Sequence, residues 1–457
     1  MASQSETHRQ TEQWIVHRFR LMGAKETRTA GINERAISHL YLNLKMTPTK
    51  HTLLTLAAIA SLTPLASAAD WPTWRGPKRD GSSIEKNLLS AWPAGGPPLA
   101  WKATGCGTGY SSVSVANGRV FTMGDSPEGS SVRAFDEKTG KPLWVSAILG
   151  KPGGNYEGTR CTPTVDGDAV YALAQFGDFV CLDAATGKER WRKNLGADFG
   201  GSYSGWNYTE SPLVEGNKVM FTPGGKKGAI VALDKKTGAL LWQSTEFTDG
   251  AQYSSLIAAD INGIRQYIQL TAASVAGVDA STGKLLWRAE RQGATAVITT
   301  PIYANNQVYV TSGYGVGCNA FKITKGAEGF KTEEIYANKN MANHHGGVIL
   351  LGDYLYGFSD SKGWICQEFK SGDMKWSDKG GGKGSIAYAD GHFYCRSEGG
   401  KGAVALIEAT PEGYKEKGRF EQPERSGKNS WPHPVIANGK LYLRDQDVLL
   451  CYDVRKK

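Results

Sequence analysis

Past residue 68 the chain holds only four histidines, at positions 344, 345, 392 and 433, and three of them fall in two short polar clusters. Those clusters belong to a series of eight, spaced roughly evenly along the chain. The series reads Gly109-Tyr110-Ser111, Thr159-Arg160-Cys161, Trp206-Asn207-Tyr208-Thr209-Glu210, Ala251-Gln252-Tyr253, Thr295 with Thr299, Asn343-His344-His345, Gly382-Lys383-Gly384 and Ser430-Trp431-Pro432-His433. Brought to one face, these positions would form a ligand site. Its members are expected to be Tyr110, Arg160, Asn207, Tyr208, Glu210, Gln252, Tyr253, His344, His345, Lys383, Trp431 and His433. Several chemistries suit them. A hard cation takes six to eight oxygen ligands, of which Asn207 and Glu210 could give two. Arg160 and Lys383 suit carboxylates, and neutral imidazoles suit a transition metal. Aromatic rings beside polar groups (Tyr110, Trp206, Tyr208, Tyr253, Trp431) suit a sugar ring or another flat ligand. Glu157 and Asp249 are the nearby carboxylates for general-base work. The plain alternative is that such residues only bond strand ends and channel water.

Other chemistries lack their residues. There is no Cys-x-x-Cys pair, no Cys-x-x-Cys-His haem site and no Gly-x-Ser-x-Gly nucleophile turn. Gly-Gly-Lys-Lys-Gly at 224–228 lacks phosphate-loop spacing and sits at a turn between strands rather than before a helix.

What places eight clusters on one face is a repeat. FDEKTGKPLW (135–144), LDAATGKERW (182–191), LDKKTGALLW (233–242) and VDASTGKLLW (278–287) are near copies. Their period matches the ~40–45 residues of a four-stranded propeller blade. Trp376 stands about two periods beyond Trp287, and the skipped copy is the degenerate FKITKGAEGFKTEEIY at 321–336. Upstream of each copy lies an alternating hairpin, as in PTVDGDAVYALA (163–174) and PVIANGKLYLRD (434–445). Each repeat thus supplies four antiparallel strands. Innermost strands are expected to start near Ser111, Cys161, Glu210, Ser254, Thr299, His345, Gly384 and Trp431, giving eight blades. The last unit stops after three strands, and PPLAWKA (97–103) supplies the fourth. The fold expected is all-β: a single eight-bladed β-propeller over 69–457, closed by its N-terminal strand, which removes exposed sheet edges.

Residues 46–68 read as a secretory signal peptide: Lys50, an apolar run from Leu53 to Leu62, and Ala66-Ser67-Ala68 before the cut. Residues 1–45 read as an over-extended start. Export implies an oxidising compartment, here the periplasm or cell envelope. No Cys stands directly after the cut, so no lipid anchor is expected. All seven Cys lie beyond it; Cys181, Cys366, Cys395 and Cys451 read as small core residues, and a disulfide among Cys106, Cys161 and Cys318 stays open. The net charge of +9 first suggests a nucleic-acid partner. Residues 1–68 carry eight Lys or Arg against four Asp or Glu, leaving 45 − 40 = +5 for the rest, spread through turns. No nucleic-acid partner is expected. The 57 Gly and 13 Trp also exclude a helical bundle, since Gly costs about 1 kcal/mol inside a helix.

The Asp-x-x-Thr-Gly-x-x-x-Trp repeats resemble those of quinoprotein-type (PQQ-like) β-propellers, from Trp71 to Lys457, and DWPTWRGPKRDG (70–81) looks like the start of secreted members. The resemblance implies one of two roles. BamB-type assembly factors are scaffolds without cofactor. Quinoprotein alcohol dehydrogenases hold pyrroloquinoline quinone and Ca²⁺ on the axis, which here would fall to Asn207 and Glu210. The vicinal Cys pair typical of those dehydrogenases is absent from this sequence. The expected function is therefore a non-catalytic ligand-binding or protein-scaffold propeller, without cofactor, meeting a small molecule or an envelope protein at its axial face. The alternative is an alcohol or sugar dehydrogenase using the quinone and Ca²⁺.

Overall fold

Asn-Gly and Asp-Gly pairs set the hairpins. Val115 pairs with Val120 across Asn117-Gly118, whose φ angles are +54° and +70°. Two left-handed residues make the turn whose twist matches that of the flanking strands. The Asp-x-x-Thr-Gly segment makes the second kind of turn. Asp136 accepts hydrogen bonds from the Thr139 backbone N–H at 2.9 Å and hydroxyl at 2.7 Å, and Gly140 follows at φ +71°. Asp183, Asp234 and Asp279 repeat the arrangement.

The turn glycine also receives the tryptophan of the preceding repeat. A Cβ on Gly140 would lie 2.5 Å from the Trp101 ring, and one on Gly187 2.5 Å from Trp144. Gly238 and Gly283 stand in the same relation to Trp191 and Trp242. The indole N–H of Trp101, Trp144 and Trp191 donates to a backbone carbonyl of that same next repeat. The motif is therefore a fastener between neighbours: the turn residues of one repeat seat the ring of the one before.

The structure, a computed structural model, describes residues 69–456. The expected leader at 1–45 and signal peptide at 46–68 lie outside the described residues. Eight four-stranded antiparallel sheets follow one another as blades 1 to 8: 114–145, 164–194, 213–243, 257–290, 302–338, 348–378, 384–420, and 435–453 together with Leu99–Ala103. Leu99–Ala103 pairs with Val448–Asp453, so the N-terminal strand closes the ring. The first strands lie innermost, and those of blades 1 to 3 and of blades 6 to 8 touch their neighbours. They begin at Ser114, Thr164, Leu213, Ile257, Ile302, Val348, Gly384 and Val435, mostly three residues after the expected starts. The described residues include one short α-helix, Leu195–Phe199, capped by the Asn194 side chain. No helix among them is long and apolar enough to cross a membrane.

Blade 5 holds the degenerate repeat. It lacks the Asp-x-x-Thr-Gly turn and forms a long hairpin, Gly317–Gly326 with Gly329–Asn338. Tyr336 takes the tryptophan position: its hydroxyl donates to the Phe369 carbonyl at 2.9 Å, and its ring lies under Gly372 of blade 6.

Residues 71–83 run along the ring of first strands, and residues 84–89 continue across the turns of blades 7 and 8. Trp71 pairs with Val115 of blade 1, and the Pro72 carbonyl accepts from Val165 of blade 2. Arg79 donates to the carbonyls of Ser211 and Pro212, Trp74 to Thr300, and Arg75 to the Val348 carbonyl. Gly81 and Ser83 bond Tyr388, and Leu89 bonds Val454. This segment reaches seven of the eight blades and fills the axis.

All seven cysteines are buried free thiols, so the open disulfide among Cys106, Cys161 and Cys318 does not form. Cys318 lies in the third strand of blade 5, in the same kind of slot as Cys181, Cys366 and Cys451. Burial pushes Cys106 up to about 11 and Cys161 to about 12, which keeps both as thiols.

Candidate functional site

The turns leading into the first strands and the hairpins between second and third strands open on one face, because each first strand runs away from that face and each second strand returns to it. Between them lies a cavity of about 270 Å³. Its floor is Trp74, carried up by the axial segment and set 4.6 Å from the buried His433 ring. Its walls are largely aromatic. Trp206 stacks on Tyr253 at 5.1 Å and 30°, and Tyr110 lies 4.5 Å from Trp431. Tyr156 stands edge-on to both Trp206 and Trp431. Tyr314 leans on His344 at 4.9 Å.

The polar groups are organised in two relays. His345 Nε2 and the Trp431 indole N–H both donate to the same Glu398 oxygen, at 2.6 and 2.9 Å. Burial opposes ionisation of Glu398, but these bonds and the nearby Lys383 charge outweigh it and hold the carboxyl down to about 2. His345 Nδ1 is buried without a partner. In the second relay Lys383 donates to Asp360 at 2.9 Å and to His344 Nδ1 at 2.7 Å. Burial and the neighbouring His345 and Lys383 push His344 down to about 4, so at neutral pH its Nδ1 carries the lone pair that accepts from Lys383. His433 Nε2 donates to the His345 carbonyl at 2.9 Å, and burial beside Arg75 pushes His433 to about 3. Arg160 staples the loop above: it donates to the carbonyls of Asn155, Tyr156 and Trp206.

Eight of the twelve residues named from the sequence line this cavity: Tyr110, Arg160, Tyr253, His344, His345, Lys383, Trp431 and His433. Four do not. Asn207 has φ +64° and turns inward, where its side chain packs under Gly154. Tyr208 is buried in the core shared by blades 1 to 3 and donates to the Pro223 carbonyl. Gln252 is half-buried beside Tyr253 but outside the lining. Glu210 is 2% exposed, and both oxygens are used: Oε2 by the Thr222 N–H at 2.6 Å and Oε1 by the Leu256 N–H at 3.1 Å. Burial pushes it up to about 7. Glu210 thus lies beneath the cavity with each oxygen accepting from a backbone N–H, and neither Asn207 nor Glu210 reaches the lining. Among the described residues no cluster of three His, Cys, Asp or Glu is placed to hold a metal. The two general-base candidates fare similarly. Asp249 accepts from Thr271 and Ser274 and pairs with Arg288 within blade 4, and Glu157 is exposed.

The lining residues missed are Trp74, Tyr156, Ser211, Ser255, Ile298, Tyr314, Glu398 and Asn429, while Trp206 and Thr209 had been named as cluster members. A signal existed for two of them: Tyr314 and Glu398 directly follow second strands, and that hairpin opens on the same face as the turns that were counted.

The family described as outer membrane protein assembly factor BamB matches residues 128–378, more than half of the chain. The chain is 27% identical over 219 residues to the outer membrane protein assembly factor BamB of Kangiella koreensis, covering 45% of this chain and 48% of that one. It is 28% identical over 197 residues to the polyvinylalcohol dehydrogenase of a Sphingopyxis species, covering 39% and 29%. The chain thus spans about half the length of the first relative and under a third of the second. The crystal structure of BamB from Moraxella catarrhalis has the same fold, with a TM-score of 0.54, 16% identity, and coverage of 75% of this chain and 95% of that one. With its eight blades fastened by the repeated tryptophan and turn, the chain belongs to the PQQ-like β-propeller family described as outer membrane protein assembly factor BamB.

Proposed function

We propose that this protein is a non-catalytic binding propeller of the cell envelope that holds a small ligand in its axial cavity. One observation carries this: a cavity with a closed floor and aromatic walls, whose polar atoms are fixed in advance by two hydrogen-bonded relays. Pre-formed apolar pockets with a few convergent polar groups are the usual form of small-molecule sites. Fixed side chains also reduce the ordering cost of binding. The envelope setting rests on the likeness to the BamB proteins and on the sequence at 46–68.

The dehydrogenase reading would need Glu210 to exchange its bonds from the Thr222 and Leu256 N–H groups for a cation. The test is a thermal-shift screen of small-molecule ligands on the purified protein, repeated on Trp206→Ala. Binders that stabilise the parent and fail on the variant support the reading. Oxidation of an alcohol by the protein loaded with the quinone and Ca²⁺ overturns it.

A further inference from the structure

The geometry points to one ligand class for this cavity: a neutral pyranose ring, as a free sugar or one residue of a glycan. This deepens the proposed function and rests on it.

Charge is the first argument. Two cations of the lining, Arg160 and Lys383, stand against two carboxylates, Glu398 in the lining and Asp360 behind Lys383, with which Lys383 is already paired. A charged ligand would leave one of these groups uncompensated in a desolvated site, which is costly. A quaternary ammonium, the other ligand typical of aromatic cages, would lie close to both cations.

The arrangement of donors and acceptors is the second. A sugar hydroxyl both gives and accepts. The cavity offers an acceptor at Glu398, an unpartnered ring nitrogen at His345 Nδ1, and donors at Lys383 and Arg160, whose hydrogens exceed the bonds they already make. A pyranose is also apolar on its C–H faces, which aromatic faces cover. Trp206 with Tyr253, Tyr110 with Trp431, and Trp74 below supply such faces.

The third argument comes from two tyrosines at the mouth. Tyr156 and Tyr314 both have positive φ, +61° and +57°, and are 52% and 54% exposed. Bulky side chains rarely adopt that conformation, and such strain concentrates at functional sites. An exposed ring held by a strained backbone gains nothing for the core. The two belong to the turn after blade 1 and to blade 5, four places apart in a ring of eight, so they approach the mouth from opposite sides. They are placed to close on a ring from both flanks.

The experiment is a titration of tryptophan fluorescence with methyl glucopyranoside, methyl galactopyranoside and methyl mannopyranoside, set beside galacturonate and choline. At least one neutral glycoside is expected to saturate the signal. Tyr156→Ala and Tyr314→Ala, both on exposed loops, are each expected to weaken it by about tenfold, and Glu398→Gln by at least as much. Binding of choline or galacturonate in preference to every neutral glycoside overturns the sugar assignment and leaves the binding-pocket reading standing. Failure of all five probes overturns the sugar assignment, whereas the broader screen decides the pocket. Saturation that both tyrosine variants leave unchanged places the sugar elsewhere and overturns the assignment too.

Discussion

Glu210→Gln separates a structural carboxylate from a metal ligand. Gln keeps the size of Glu and one acceptor oxygen, but replaces the other oxygen with an NH₂ group. In the parent the two oxygens accept separately from the Thr222 and Leu256 N–H groups, which belong to blade 3 and to the start of blade 4. The variant must face one of those buried donors with another donor. A buried donor left unsatisfied costs about 1–3 kcal/mol. Unfolding entropy of about 2.1 cal/mol/K per residue gives a chain this size about 0.8 kcal/mol/K, so the melting temperature should fall by roughly 1–4 °C. Glu210→Ala orphans both donors and leaves a void, so its fall should be about twice as large. The assay is differential scanning calorimetry in EDTA and again with excess Ca²⁺. A structural role predicts the same loss in both. An unchanged melting temperature in EDTA, with a loss appearing only relative to a Ca²⁺-stabilised parent, would refute the reasoning and restore Glu210 as a cation ligand.

Three further outcomes follow from features at other places. Burial depresses His433 to about 3 and His344 to about 4, against an ordinary 6.5. The unfolded chain therefore binds protons that the native state refuses, so stability is intact above about 6.5 and falls as pH drops toward 3; urea titrations at pH 7 and pH 4 should show the loss, and equal midpoints would contradict it. Gly140→Ala should cost about 2–4 kcal/mol by urea unfolding, because left-handed backbone adds about 1–2 kcal/mol and the new Cβ meets Trp101. Gly167→Ala, at φ +59° in open space, should cost only the backbone part, and equal losses would show that the tryptophan seat is irrelevant. Finally, the native protein should give no fast reaction with a thiol reagent, and seven equivalents once denatured; fewer than seven would reveal a disulfide.

The blades were legible because their turns are local chemistry. Asp136, Thr139 and Gly140 act within five residues, and the ring of Trp101 needs the glycine wherever the motif recurs. Blade 5 shows that the slot matters more than the letter, since Tyr336 serves for tryptophan with its hydroxyl in place of the indole N–H. The site was legible only to the level of the cluster. Within 206–210 the chain presents Trp206 and Thr209 to the cavity and withdraws Asn207, Tyr208 and Glu210. That choice depends on the positive φ of Asn207, which residue type alone does not announce. Trp74 was beyond reach for another reason: it arrives along the axis from a segment outside the repeat, so no periodicity points to it.

The axial segment has a further consequence. Propellers grow in evolution by copying or losing a blade, and each change alters the width of the channel. Here residues 70–89 bond seven blades at once, through side chains of fixed length such as Arg75 and Arg79. Those bonds tie the segment to the spacing that eight blades give the Ser211, Pro212 and Val348 carbonyls. The segment works as a gauge matched to one blade number. It also joins the two ends of the ring, since its Leu89 N–H bonds the Val454 carbonyl near the other end of the propeller.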